Sequence, residues 1–295
     1  MSRAAAVQQA YVLHQWAWSE TSLILDLFTR EQGRVAAVAK GAKRPYSQLR
    51  PVLMPFQRLH VVFNKTKGAA EGDILTLRSA EYAGAGARLP GPRLIAGFYL
   101  NELLMKLLAR GDAHERLFDI YGQTLQALAA AQAESDEPPA LRAFELRLLR
   151  ENGVLPELDR DTTTQAALQP GRGYQLLAEG GLVPAAAASG SAAESRLSAE
   201  LCLALERGLA QDDGATLRTA CRAAPAALRL QLRALLAYHL GAPTLRSREL
   251  MLEVRRLIEP AAALDRRDGA SSAPTAQAAP THTASSPLHP DQALP

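Results

Sequence analysis

The hydrophobic period of this chain changes once, near Leu89, and that change limits the possible folds more than any other feature. Ahead of residue 83, short apolar segments succeed one another with turn residues between them. Tyr11 to Gln15 is short and apolar, Ser22 to Phe28 alternates through Leu23, Leu25 and Leu27, and Val35 to Ala39 follows Gly33. Leu59 to Phe63 precedes a basic turn over Asn64 to Gly68, and Ile74 to Leu77 follows Gly72-Asp73. Strands this short, with no helices between them, predict a small all-β barrel rather than a βαβ unit. Five strands in roughly 80 residues match an OB-type barrel, whose strands and loops commonly hold oligonucleotides; SH3-like barrels are of similar size.

Past the Pro90-Gly91-Pro92 turn the apolar residues fall at helical spacing. Leu94, Ile95, Phe98, Leu100, Leu103, Leu104, Leu107 and Leu108 predict a helix that ends at Gly111. A second runs from about Ala113 to Ala131 and is closed by the acidic loop Glu134 to Pro139. Leu141, Phe144, Leu148 and Leu149 mark a third, stopped by Asn152-Gly153. Helical patterns resume at Leu197 to Leu209, Ala215 to Arg222, Pro225 to Leu240 and Ser247 to Ile258. The expectation is therefore an α+β chain. An N-terminal five-stranded OB-type β-barrel (1–83) precedes an all-helical domain (84–154 and 197–259) with a small irregular insertion (155–196), which includes the stretch around Tyr174 to Val183. The Ala-, Pro-, Ser- and Thr-rich tail (260–295) has too little apolar surface to offset its ordering entropy and is expected to be disordered.

Charge is distributed as unevenly as period. Between residues 30 and 67 stand nine basic side chains (Arg30, Arg34, Lys40, Lys43, Arg44, Arg50, Arg58, Lys65, Lys67) against one acid, Glu31, a net +8. Residues 83–295 carry 22 basic and 24 acidic side chains, so the basicity is local. A folded element displaying such a run suits a polyanion. The candidate nucleic-acid-binding residues are Arg34 at a strand start, Lys40, Lys43 and Arg44 past a strand end, and Arg50, Lys65 and Lys67 in neighbouring loops. Tyr46 is the candidate platform for a stacked base. The competing reading is a solvated basic face. Phe56 and Phe63 read as core, and at least one of Trp16 and Trp18 is expected to pack against the barrel end. Few free aromatics imply binding that follows the backbone and ignores sequence.

Elsewhere the signals are sparser. Arg142, Arg147 and Arg150 on the third helix could rim an apolar groove for a short acidic peptide with an apolar end, or could face water from an ordinary core helix. Ser247 reads as an N-cap, with a DNA role for Arg246 and Arg248 as the alternative. Two cysteines, Cys202 and Cys221, exclude a disulfide framework and favour a reducing compartment. No signal peptide is legible, and no run of about 18 apolar residues occurs, so a soluble, cytoplasmic protein with no membrane partner is expected. GxxxxGK[ST], HExxH and a close carboxylate set are all missing, which favours a non-enzyme without cofactors. An RNA-binding OB protein of translation or RNA processing, and an enzyme with a dispersed site in the helical domain, remain as alternatives.

The order of several short motifs resembles one family. Tyr11-Val12-Leu13-His14, Trp18-Ser19-Glu20-Thr21-Ser22-Leu23, Phe28-Thr29, Gly33-Arg34-Val35 and Ala39-Lys40-Gly41-Ala42 are similar to the N-terminal domain of RecO. Pro55-Phe56, Thr76 to Glu81, Tyr99 to Leu104, Phe144 to Leu149 and Leu245 to Leu250 extend the resemblance to about residue 252. It implies an OB fold and a helical domain that bind single- and double-stranded DNA near the nucleoid. It also implies partnership with RecR and with the acidic C-terminal tail of single-stranded DNA-binding protein, strand annealing, and loading of RecA in repair and recombination. Many relatives carry a four-cysteine zinc site after the third helix. Here Leu158, Asp159, Arg160, Asp161 and Thr162 stand where the first CxxC is expected, and Cys202 and Cys221 cannot form a tetrahedral thiolate set, so no metal is expected.

Overall fold

The structure, a computed structural model, describes residues 6–64, 74–84, 86–186, 195–241 and 244–254. Lys65 and Lys67, and the tail expected to be disordered, lie outside the described residues. The strands and helices of the fold belong to one unit, Met1–Met251.

Alternating apolar residues close the N-terminal strands into a barrel. β1 (Val7–Ala17), β2 (Leu23–Thr29), β3 (Gly33–Ala39), β4 (Leu59–Phe63) and β5 (Leu75–Tyr82) pair in the order β1-β2-β3-β5-β4, with β4 returning to β1. Every pairing is antiparallel except β3 with β5, where Ala37 meets Leu75 and Val38 meets Thr76. This is the five-stranded OB-type barrel that the strand pattern predicts. Val12, Leu25, Leu27, Val35, Ala37, Leu59, Val61 and Leu77 point inward and make its core, as a period of two requires. A single helical turn, α1 (Leu49–Val52), bridges β3 and β4. Leu53 behind it is buried in the same core.

β1 and β5 run longer than expected. In β1 the cause is packing on both faces: Ala10, Tyr11, Val12 and Leu13 are all buried, so no alternation shows. A bulge between Val12 and His14 helps, because it leaves Leu13 outside the register with β2. Tyr11, Leu13 and Phe28 thus leave the barrel core and join the helical one.

The helical part comprises α2 (Gly91–Leu107), α3 (Glu115–Ala130), α4 (Glu137–Glu151), α5 (Ala199–Ala210), α6 (Gly214–Ala223) and α7 (Pro225–Leu240), and a further helix begins at residue 246. Ser198 caps α5 through Leu201 N (3.1 Å), and Asp213 caps α6 through Ala215 N (2.9 Å), each relieving an orphan N–H. α4 is central, with every residue from Pro139 to Leu149 buried. Arg142 and Arg150 are therefore engaged inside the fold rather than rimming a groove, which corrects one expectation for those two. Arg142 pairs with fully buried Glu145 (2.6 Å), which also accepts from Tyr99 Oη (2.5 Å). Arg147 pairs with Asp212 and donates to the Gly208 carbonyl, and Arg150 grips Glu206 with both terminal nitrogens (3.1 and 2.8 Å). Buried cations need such partners, and α4 finds them on its neighbours.

The insertion is more regular than expected. β6 (Gly173–Leu177), β7 (Gly181–Pro184) and β8 (Leu197–Ser198) form an antiparallel sheet in the order β7-β6-β8. Gln231 on α7 holds it, accepting from Leu176 N (2.9 Å) and donating to the Ser195 carbonyl (2.8 Å).

Barrel and helices share a tight joint. Tyr11 lies 5.0 Å from Phe118 and 4.9 Å from Tyr121 between ring centroids, and Phe28 lies 5.5 Å from Phe118. Asn101 links the two halves by donating to the Leu13 carbonyl (2.9 Å) while accepting from Tyr121 Oη (2.5 Å). Gly33, at φ +61°, lies so close to the Asp112 carbonyl that a Cβ would sit 1.6 Å from its oxygen. Only glycine fits there.

Candidate nucleic-acid interface

The loop that leaves β3 is built to keep its cations outside. Ala42 is buried in the barrel core and anchors the loop, while Lys40, Lys43 and Arg44 on either side of it are exposed. Gly41 takes φ +73°, a left-handed conformation that turns the chain after Lys40. Arg44 N donates to the Gly41 carbonyl (3.1 Å) and Ser47 N to the Arg44 carbonyl (3.0 Å), so successive turns carry the chain to α1, where Arg50 is exposed. Tyr46, in the middle of the loop, is 95% exposed.

The β1–β2 hairpin forms the other wall. Ser19 Oγ accepts from Ser22 N (3.1 Å) and shapes the turn, and Lys43 joins loop to hairpin by two bonds. Its backbone N–H donates to the Thr21 carbonyl (2.9 Å) and its Nζ to the Ser19 carbonyl (2.8 Å). Both tryptophans leave much of their surface open, Trp16 being 42% and Trp18 65% exposed. His14 meets Trp16 edge-on at 4.5 Å. Both tryptophans are legible in the sequence as flanking a turn; what hides their role is the assumption that large apolar rings are buried. One barrel end thus gathers Lys40, Lys43, Arg44, Arg50, Tyr46, Trp16 and Trp18, with Glu20 as the acid of the hairpin turn. Among the described residues none of the four cations has a carboxylate within salt-bridge distance.

The rest of the basic run goes elsewhere, and here the expectation from sequence is corrected. Arg34 is not free for phosphate: it holds fully buried Asp26 with two nitrogens (2.9 and 2.7 Å) and donates to the carbonyls of Met105 and Leu108. Arg30 pairs with Glu115 (2.6 Å) and Asp119 (3.2 Å) on α3, and Arg58 donates to Gln9 and lies over the Phe118 ring. Arg30 and Arg34 belong to the β2–β3 turn, at the opposite end of β3 from Lys40. Seven strand residues separate the ends, about 20 Å. The nine cations make no single ridge. Three of them stitch the barrel to the helices, four stand at the barrel end, and Lys65 and Lys67 lie outside the described residues.

A second feature lies on the helical part. Ile120, Ala127, Ala140, Ala143 and Phe144 line a groove between α3 and α4, with Arg147 and Arg218 at its polar edge beside the α6 N-terminus. Of the three arginines expected to hold a peptide, only Arg147 reaches it.

Burial pushes the thiols of Cys202 and Cys221 up to about 12, so neither is a nucleophile near neutrality. Among the described residues, no group of three or more His, Cys, Asp or Glu side chains is placed to hold a metal ion, and no helix is long and apolar enough to cross a membrane.

Comparison with known proteins agrees with the barrel topology and the helical half. Residues 1–83 match the family model described as recombination protein O N terminal, and residues 90–249 the one described as recombination protein O C terminal. The chain is 47% identical over 265 residues to the DNA repair protein RecO of Acidovorax ebreus (strain TPSY), spanning 87% of this chain and 99% of that protein. It is 47% identical over 252 residues to the DNA repair protein RecO of Albidiferax ferrireducens, covering 85% and 96% respectively. The DNA repair protein RecO of Polaromonas sp. (strain JS666) is 46% identical over 252 residues, 85% of this chain and 97% of its own length. Matches to both halves in order, over nearly the full length of these relatives, show that this chain belongs to the RecO family of DNA repair proteins.

Proposed function

We propose that this protein binds single- and double-stranded DNA through phosphate contacts at the basic end of its barrel and anneals complementary strands. With RecR, it helps to load RecA onto DNA coated by single-stranded DNA-binding protein. It acts in the cytoplasm at the nucleoid, and its mechanism is physical rather than covalent. Cations neutralise both strands and lower the repulsion that opposes their pairing, while released counterions supply the affinity. One observation carries the reading: Lys40, Lys43, Arg44 and Arg50 share a barrel end with three exposed aromatics and, among the described residues, no carboxylate partner. The cations track the backbone, and the rings offer stacking faces that any base satisfies.

The test is a titration of labelled single-stranded DNA at several salt concentrations. Four phosphate contacts give a log–log slope of about −3, at ~0.7 per phosphate for a single strand. A flat response overturns the electrostatic mechanism. Replacing Lys40, Lys43 and Arg44 together by Ala is expected to weaken binding and flatten the slope by about two units, without unfolding the barrel. Retained affinity moves the site elsewhere.

The α3–α4 groove is the proposed seat of the acidic tail. Arg218 and the α6 N-terminus favour carboxylates, whereas Arg147 is already held by Asp212, and the groove, about 20 Å³, takes an apolar end residue only by opening. Removing that tail from single-stranded DNA-binding protein is expected to abolish annealing on coated DNA. Unchanged annealing refutes the docking and leaves an RNA-associated role as the reading to test next.

A further inference from the structure

Residues 214–248 contain six arginines, Arg218, Arg222, Arg229, Arg233, Arg246 and Arg248, and no aspartate or glutamate. Two of them have other places. Arg222 pairs with Asp136 at 2.8 Å, and Arg218 edges the α3–α4 groove. The remaining four collect on α7 and on the helix that begins at residue 246.

Arg229 and Arg233 are exposed and stand four residues apart on α7, hence on one face. Arg246 is exposed, and Arg248 is partly buried near Arg233. The start of the second helix is held in place from α2. Glu102 accepts from Arg246 N (3.0 Å), Ser247 N (2.9 Å) and Ser247 Oγ (2.6 Å), so the two arginines are displayed on a fixed frame. Near Arg248 lies another guanidinium, that of Arg142. Arg142 is 8% exposed, gives Nη2 to Glu145, and leaves Nε and Nη1 buried without a partner. Burial first, and then the charges of Arg233 and Arg142, hold the Arg248 guanidinium below its ordinary value, with Tyr99 and Glu145 opposing. The charges of Arg233 and Arg142 thus both act on Arg248, opposed by the buried carboxylate of Glu145. Among the described residues none of Arg229, Arg233, Arg246 and Arg248 has a carboxylate within salt-bridge distance. Glu249 and Glu253 are exposed on the same helix as Arg246 and Arg248, so the four arginines leave a local excess of +2, which suits an external anion. Guanidinium forks match the paired oxygens of a phosphodiester.

We propose that this arginine face on the helical half is a second DNA-binding surface, which holds the phosphate backbone of the second strand while the barrel end holds the first. It rests on the DNA-binding role proposed for the barrel end and extends it. Two polyanions repel, and one rigid molecule with two cationic surfaces keeps both strands while they search for register.

The experiment compares full-length R229A/R233A/R246A with the unaltered chain, all three positions being exposed. Affinity for a single labelled oligonucleotide is expected to stay within about twofold, while the annealing rate of two naked complementary strands falls by about tenfold or more. Arg→Lys at the same positions keeps the charge and is expected to restore most of the rate, which a loss of fold would not allow. Annealing at the unaltered rate overturns the proposal. So does a fall in single-strand affinity as large as that of the Lys40, Lys43 and Arg44 variant, since the two surfaces would then be one site. A defect confined to coated DNA, with naked strands annealing normally, also overturns it and assigns the face to a protein partner. If the barrel variant fails to weaken binding while the arginine variant still slows annealing, the barrel reading falls, and with it the seat of the first strand, but this face still holds a strand.

Discussion

At the scale of single residues, the same chemistry serves two purposes in this molecule, and burial decides between them. Arg34 is 16% exposed in its side chain and Asp26 not at all. Removing Arg34 leaves buried Asp26 with only the more distant Arg110 (3.4 Å), which costs up to about 3–5 kcal/mol. Arg34→Ala is thus expected to lower urea stability by that amount, yet to leave the DNA affinity of the folded protein unchanged. A normal urea midpoint, or a loss of affinity per folded molecule, would return Arg34 to the interface. Trp16 and Trp18 present the opposite case. Large exposed rings beside four unpaired cations have little packing to lose, so Trp18→Ala is expected to change stability by less than about 0.5 kcal/mol. Stacking is worth about 1–3 kcal/mol per base, so the same substitution is expected to weaken single-strand binding by tenfold or so. Fluorescence quenching of the tryptophans on DNA addition provides a direct check.

At the scale of elements, a carboxylate on α2 determines whether the helix at residue 246 stays docked. Burial alone would raise the Glu102 carboxyl, but donors from Ser247, Arg246 and Lys106 outweigh it and leave the group below its ordinary value of 4.5. For an acid with a lowered folded value, the linked stability is present above the unfolded pKa and is lost as pH falls through the folded one. Glu102→Gln is therefore expected to destabilise the protein near neutral pH by about 1.5–3 kcal/mol, the worth of hydrogen bonds to a charged group. The gap from the unaltered chain is expected to close as pH drops below 4.5. Equal deficits at pH 7 and pH 4 would show that the carboxylate charge is not what holds the helix. α4 illustrates why element reading goes astray: its arginines suggest a wet face, but neighbours supply Glu206, Asp212 and carbonyls that let it sink.

For the molecule as a whole, the barrel depends on the helices packed against it. Tyr11, Leu13 and Phe28 bury against Phe118 and Tyr121, and each aromatic or large aliphatic side chain so covered contributes about 1.5–3 kcal/mol. A fragment comprising residues 1–83 is expected to expose these rings and self-associate. The full chain is expected to lose its barrel and helical signals in one unfolding transition. Light scattering of the fragment and coincident circular dichroism and fluorescence melts test this. A monomeric, stable fragment would show that the joint matters less than its packing indicates.

Strand and helix periods, turn glycines and the clustering of Lys40 to Arg50 are legible directly, because each depends on residues within about ten positions of one another. The barrel type and the family follow from those local patterns in order. Tertiary structure alone settles which cations remain available. Arg30, Arg34 and Arg58 look no different in sequence from Lys40 or Arg44, but their partners (Glu115, Asp119, and the carbonyls of Met105 and Leu108) arrive from far along the chain. The length of β1, the burial of α4 and the exposure of both tryptophans have the same origin. Whether a side chain meets water, a carboxylate or another ring depends on which distant segment is folded against it, and composition in a local window carries no record of that.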